Sequence, residues 1–219
     1  MMEIRLRSKI SKEELDEKLG RIITEKDVNV VLTNPCKVLK PNGDPLLIYL
    51  PKAIPEDVAE RSYEILHTIQ SVSDNRGMAS GSKRVKRGKT SRANNIKSSV
   101  IGHFDPYKNW HPFCRTTAWT GQHAEEFKEL VPMFQACADN FAEHVPDRYA
   151  VQKRRCESTK QEWVIGQTPF TTITVNNTYP TGVHKDAGDL ESGFSNLACL
   201  RRGDYKGGIL TFPEFRVGV

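Results

Sequence analysis

No apolar run in this chain approaches the ~20 residues that a membrane-spanning helix requires. The opening segment, MMEIRLRSKISKEEL, is charged and has no apolar stretch of the secretory type. The ingredients of a disulfide framework or a cysteine-ligated zinc site are missing too. The five cysteines (Cys36, Cys114, Cys137, Cys156 and Cys199) are odd in number, scattered and contain no CxxC pair. No internal repeat is visible. These absences lead to the expectation of an intracellular protein in a reducing compartment, cytoplasm and nucleus not distinguished, with no membrane partner. They leave the oligomeric state open.

What is present suits an ordinary globular protein. The 219 residues are 37% hydrophobic and 27% charged, enough for one substantial core with a small appendage. The net charge of +5 is mild, but it is concentrated. Lys83, Arg84, Lys86, Arg87, Lys89 and Arg92 fall within ten residues. Lys153, Arg154 and Arg155 make a second cluster, and Arg201 and Arg202 a third. Clustered positive charge is what a polyanionic partner requires, although a solvated surface loop would carry the same pattern.

Three regions follow from composition and periodicity. Residues 1–72 form an α/β extension. Ser11 and Glu14 announce a capped helix that ends at Gly20, and short strands are expected over 28–32, 36–39 and 45–50. Pro55 opens a helix through Gln70. Residues 73–99 lose periodicity and are expected to be a basic flexible loop. Residues 100–219 form the main core, beginning with a helix from Ala124 to Val145 that Pro132 kinks or divides. Its aromatics at helical spacing are core residues rather than a cofactor box. The last third turns β-like at 171–175, 194–200 and 207–212. Short consecutive strands without intervening helices suggest an antiparallel sandwich or jelly-roll, and so an α+β protein.

The segment TTITVNNTYPTGVHKDAGDLESGF carries the most specific chemistry. On an extended strand residues i and i+2 point the same way, so His184 and Asp186 would offer imidazole and carboxylate to one metal. With a distant third ligand they would complete a two-His, one-carboxylate face that leaves positions open for O₂ and a bidentate cosubstrate. The tripeptide alone decides nothing. Six His and eleven Asp give H-x-D about 0.3 times by chance, and His103-Phe104-Asp105 is a second occurrence. Context favours His184. It follows a β-branched strand and a glycine, whereas His103 runs into Pro106 and a turn-rich stretch.

In these residues the chain resembles the TET/J-binding-protein family of Fe(II)/2-oxoglutarate-dependent dioxygenases, bacteriophage relatives included. The resemblance covers roughly residues 98–219. It rests on the order T-x-T-V-N-x-x-Y-x-T-G-V-H-x-D-A-G-D, then G-F, then an apolar strand, then G-x-Y-x-G-G-x-L-x-F-P-E-F. It implies a double-stranded β-helix (jelly-roll or cupin-like) core, with the N-terminal helices packed on it. It implies Fe(II) held by His184 and Asp186, with 2-oxoglutarate as cosubstrate and ascorbate as a possible reductant. The implied reaction is oxidation of the 5-methyl group of thymine or 5-methylcytosine in DNA, on a flipped or single-stranded base. Asn177 and Tyr179 match an N-x-Y that touches the cosubstrate in related enzymes, or are simple turn residues. Asp189 is either an acceptor beside the iron or a turn residue after Gly188. The run 83–92 would then contact DNA phosphates.

One departure shapes the expectation. The family places a distal His and then a basic cosubstrate anchor after the G-G-x-L-x-F-P-E strand. Here no His follows His184, and Arg216 lies too early for that anchor. The core is therefore expected to be truncated on its C-terminal side, and the chain by itself inactive and prone to self-association. If it does turn over, His103, His111 and His123 are the first candidates for the third ligand. Two rival readings stay open. One is an inactive nucleic-acid-binding module with a dioxygenase shell, and the other is a dioxygenase acting on a protein or small molecule.

Overall fold

The computed structural model describes residues 1–73, 76–81, 96–104, 114–186 and 190–219. The basic run 83–92, Asp105, His111 and Asp189 lie outside the described residues. Strand β1 (Met2–Arg5) leads into helix α1 (Lys12–Lys18). The reciprocal cap forms as expected. The Glu14 amide donates to Ser11 Oγ at 3.1 Å, and the Ser11 amide donates to Glu14 Oε2 at 2.8 Å. Strands β2 (Val30–Val31), β3 (Cys36–Leu39) and β4 (Pro45–Tyr49) follow, β3 and β4 pairing antiparallel across the turn that ends at Asp44. Helix α2 (Glu56–His67) starts after Pro55, whose fixed φ suits a helix entry. Its apolar stripe buries Ile65 against the core.

The second half runs through β5 (Val72–Ser73), β6 (Ile96–Phe104), β7 (Arg115–Thr116), α3 (Ala118–Gln122), α4 (Ala124–His144), α5 (Pro146–Glu157), β8 (Thr172–Asn176), β9 (Thr211–Phe212) and β10 (Val217–Gly218). Several details differ from the sequence expectations. Helix α4 is continuous through Pro132 for 21 residues and is not divided there; the break comes at Val145, before Pro146. Strand β6 begins at Ile96, inside the stretch expected to lack structure. Of the two late β-like segments, 194–200 carries no strand, and 207–212 is strand only at Thr211–Phe212. Leu197 and Leu210 are exposed, so these apolar residues lack the buried face that would hold them in a ladder.

The described residues thus form a mixed α/β structure with three small sheets, ordered β1-β3-β4, β2-β10-β9 and β5-β6-β7 with β8 added to β6. Strand β6 is central because alternate residues serve opposite edges. The Lys97 carbonyl accepts from Asn177 and the His103 amide donates to Thr171 on the β8 side. Ser98 donates to Ser71, and the Gly102 carbonyl accepts from Thr117, on the other. Helices α2 and α4 cover this sheet. Ile65, Ile69, Ile101, Leu130, Met133, Phe134, Ile165 and Val175 form one buried cluster there. Each such side chain contributes roughly 1.5–3 kcal/mol when fully withdrawn from water. Gly102 is required where β6 passes the 171 backbone: its φ is +88°, and a Cβ would stand 2.7 Å from the Thr171 carbonyl oxygen.

A second cluster (Cys36, Val38 and Leu47) joins the two ends of the chain, with Phe212 and Val219 packed against it. Strand β10 pairs in parallel with β2, and the Lys9 amide donates to the Glu214 carbonyl at 2.8 Å. Cys36, Cys137, Cys156 and Cys199 are free thiols. Among the described residues no helix is long and apolar enough to cross a membrane.

Candidate metal centre

Strand β8 leaves the sheet at Asn176, and the chain turns through Thr178, a non-glycine residue at φ +52°. The backbone then reaches Gly182 and Val183, which make isolated bridges to residues of the N-terminal segment. The Gly20 amide donates to the Val183 carbonyl at 2.8 Å, and the Val183 amide donates to the Arg21 carbonyl at 2.9 Å. From the other side the Gly182 amide donates to the Ala79 carbonyl at 2.9 Å. A Cβ on Gly182 would lie 2.6 Å from the Met78 carbonyl oxygen and 3.0 Å from that of Gly20. Only glycine fits between these two backbones.

His184 and Asp186 emerge from this clamp. The expected strand is absent at 184–186, because the backbone groups just before it are committed to the 20–21 and 79 segments rather than to a ladder. The two side chains nevertheless converge, with His184 Nε2 3.3 Å from Asp186 Oδ1. His184 Nδ1 lies 2.7 Å from the Gly182 carbonyl oxygen. A carbonyl can only accept, so Nδ1 carries the proton and Nε2 faces the carboxylate. Two acceptors this close repel unless a cation lies between them, either a second imidazole proton or a metal ion. Adjacent ligands each about 2.1 Å from one metal are themselves roughly 3 Å apart, so the pair has the spacing of two such ligands. The Gly182 bond fixes the tautomer and ring plane of His184, the kind of contact that orients a His for a metal. Among the described residues no cluster of three or more His, Cys, Asp or Glu side chains is assembled. The donor set present therefore fits two positions of an iron face.

The competing pair has the opposite local structure. His103 lies at the end of β6, in register with Thr116, so the strand context denied to it in the sequence is real. Its ring stands edge-on to Trp163 with centroids 5.5 Å apart, and its Nδ1 meets Thr116 Oγ1 at 3.3 Å. Burial holds its pKa below the ordinary value. This is the environment of a neutral packing histidine. His123 stacks on Trp119 and pairs with Glu126 at 3.3 Å.

Asn177 and Tyr179 are both engaged. The Asn177 side-chain amide donates to the His67 and Ile69 carbonyls at 3.1 and 3.3 Å, which satisfies acceptors left open at the end of α2. The Tyr179 hydroxyl donates to Asn176 Oδ1 at 3.2 Å, and burial pushes its pKa up. Of the other basic clusters, Lys153 Nζ donates to the Gln167 carbonyl at 2.6 Å. Arg202 lies over the Tyr63 ring at 5.4 Å, and Arg201 over the Tyr205 ring at the same distance. Sequence reasoning missed the segments that clamp Gly182, residues 19–22 and 78–79. Their signal was faint: Gly20 after a capped helix, and Gly77 and Gly81 bracketing one turn at positive φ.

The chain is 33% identical over 125 residues to thymine dioxygenase JBP1 of Crithidia fasciculata, covering 56% of this chain and 15% of that protein. It is 25% identical over 202 residues to the bifunctional helicase and thymine dioxygenase JBP2 of Trypanosoma brucei brucei, covering 91% of this chain and 17% of that protein. With thymine dioxygenase JBP1 of Leishmania infantum the identity is 27% over 180 residues, covering 81% and 20%. The chain thus spans no more than about a fifth of the length of these curated relatives. Residues 100–219, more than half of the chain and the stretch holding His184 and Asp186, match the Tet_JBP oxygenase domain. The chain belongs to the Tet_JBP family, the oxygenase domain of the 2OGFeDO superfamily.

Proposed function

We propose that this chain carries the core of a Fe(II)- and 2-oxoglutarate-dependent dioxygenase that hydroxylates the 5-methyl group of a pyrimidine in DNA, thymine before 5-methylcytosine. The observation that carries the reading is the convergence of His184 Nε2 and Asp186 Oδ1 at 3.3 Å, with Nδ1 already committed to Gly182. The names of the relatives favour thymine as the base. Iron with its cosubstrate would supply the oxidising chemistry; His184 and Asp186 would supply two ligands, with Gly182 holding the orientation of the imidazole. In this reading Asp189, three residues after Asp186 in the sequence, would serve as an acceptor that orients a ligand. Tyr179 lies on the same turn as a cosubstrate contact, and Asn177 anchors that turn to α2. The sheet around β6 with β8 is part of a double-stranded β-helix.

A methyl group inside a duplex is too deep for an enclosed iron, so the base is flipped or met single-stranded. The run Lys83, Arg84, Lys86, Arg87, Lys89 and Arg92 then provides phosphate contacts, which give affinity without sequence information. An intracellular setting follows from a DNA substrate and from cysteines that are odd in number and contain no CxxC pair.

The test incubates the chain with Fe(II), 2-oxoglutarate and ascorbate on oligonucleotides containing thymine or 5-methylcytosine, with nucleosides read by mass spectrometry. Hydroxymethylated product that disappears in Asp186→Ala would establish the reaction and overturn the expectation that the chain by itself is inactive. DNA binding without any product, in protein shown to bind iron, would sink the enzymatic reading and leave an inactive nucleic-acid-binding module.

A further inference from the structure

We infer that the C-terminal end of helix α5, which carries Arg154 and Arg155, is a contact surface for the phosphates of DNA flanking the target base; the identity of that partner rests on the reading of the chain as a dioxygenase acting on DNA. Charge of the two signs is separated among the helices. Helix α2 carries four acids against one arginine, and α4 carries five acids against one lysine. Helix α5 reverses this, with Arg148, Lys153, Arg154 and Arg155 against Asp147 and Glu157. A polyanion is repelled by the first two helices and drawn to the third.

The four cations of α5 have different duties. Lys153 Nζ is committed to the Gln167 carbonyl, and Arg148 Nη1 donates to the Ser192 carbonyl at 3.3 Å, so these two hold neighbouring segments. Arg154 and Arg155 are exposed, and neither guanidinium forms an ion pair among the described residues. The helix end that presents them is fixed. The Arg154 carbonyl accepts from the Ser158 amide at 3.2 Å, and the Arg155 carbonyl accepts from Ser158 Oγ at 2.7 Å and Thr159 Oγ1 at 3.2 Å. Two unpaired guanidinium forks on a rigid end suit phosphate oxygens.

The opposite side of α5 touches the segment that leaves the metal pair. The Phe194 amide donates to Gln152 Oε1 at 3.4 Å, and a Cβ on Gly193 would stand 2.7 Å from the same oxygen. Leu190 lies four residues beyond Asp186, at most about 14 Å of chain. The Gly193 amide closes a turn on the Leu190 carbonyl at 2.8 Å. Arg155 follows Gln152 by three residues, one turn along the helix. The path from Asp186 to Arg155 is therefore roughly 35 Å at its longest, about one turn of duplex. DNA that delivers a base to the pair has backbone within reach of this helix end.

The experiment follows the anisotropy of a labelled mixed-sequence duplex across a salt series, without metal. It compares wild type with Arg154→Gln, Arg155→Gln, the double variant and Lys128→Gln. Lys128 is exposed on α4 and pairs with Glu125 at 2.7 Å, so this control removes the same charge from the acid-rich side. Each arginine variant should weaken binding several-fold for any sequence and lower the salt slope by roughly 0.9, the double variant by about twice that. Lys128→Gln should leave both unchanged. Arg154→Lys with Arg155→Lys should recover most of the slope, because a lysine also neutralises a phosphate. Equal slopes in wild type and the double variant overturn the inference. A loss shared equally by Lys128→Gln also overturns it, since net charge alone would then be responsible. Cations at a helix C-terminus also stabilise the helix, so thermal melts accompany the titrations. A lowered melting temperature with unchanged DNA binding would assign the arginines to the helix end and overturn the surface. A wild-type chain that binds duplex through these arginines but never hydroxylates it keeps the surface and sinks the enzymatic reading. A wild-type chain that binds no DNA overturns both.

Discussion

Gly182 lies so close to Met78 that a Cβ built on the glycine would stand 2.6 Å from the Met78 carbonyl oxygen. The same glycine supplies the carbonyl that takes the Nδ1 proton of His184. One backbone position thus joins the clamp to the imidazole. Gly182→Ala should force the clamp apart, costing about 1–3 kcal/mol of stability as an overpacked site does. It should also lower Mn(II) or Fe(II) affinity about ten-fold or more by turning the ring. Calorimetric metal titration beside a thermal melt checks both. Metal affinity that survives a lowered melting temperature would separate the clamp from the site.

The two H-x-D tripeptides should behave differently. His184→Ala removes the proposed ligand, whose other nitrogen is already fixed, and should abolish Fe(II) binding. His103→Ala removes a ring packed against Trp163 and Phe127, and should lower stability while leaving metal binding largely intact. Truncating a half-buried ring costs about 1–3 kcal/mol. Equal loss of metal from both variants would reverse the assignment.

His103 also predicts a pH dependence. Burial holds its folded pKa below the ordinary 6.5, so the unfolded chain takes up this proton first as pH falls. Its contribution to stability is full above the unfolded value and is lost as pH drops through the folded pKa. Chemical denaturation at about pH 7.5 and about pH 5.5 should show the loss, and His103→Gln should remove that component. An unchanged pH slope in the variant would assign the acid sensitivity to other groups.

The basic run should act through phosphates. Replacing Lys83, Arg84, Lys86 and Arg87 with Ala should weaken DNA binding about equally for all sequences. Each lost duplex phosphate contact should reduce the salt slope by roughly 0.9. Anisotropy titrations across a salt series measure both quantities. If neither affinity nor slope moves, the run is a solvated segment.

Local chemistry made much of this protein legible in its sequence. Ser11 and Glu14 are three residues apart, and a capping box needs nothing more distant. The strand Cys36–Leu39 and the helix after Pro55 follow from alternation, periodicity and a fixed φ, all carried by neighbouring residues. His184 and Asp186 could be singled out because imidazole and carboxylate two residues apart suffice to suggest a shared cation. What brings them together could not be read there. The strand expected at 184–186 does not form, and the strand doubted at His103 does. Backbone partners decide this: Gly182 and Val183 bond to Ala79, Gly20 and Arg21, residues some 100 to 160 positions away in the chain. Hydrogen bonds between backbones carry almost no side-chain signature, so only glycines mark them. The tautomer of His184 and the capping role of Asn177 likewise depend on which carbonyls arrive, and that is decided by packing in three dimensions.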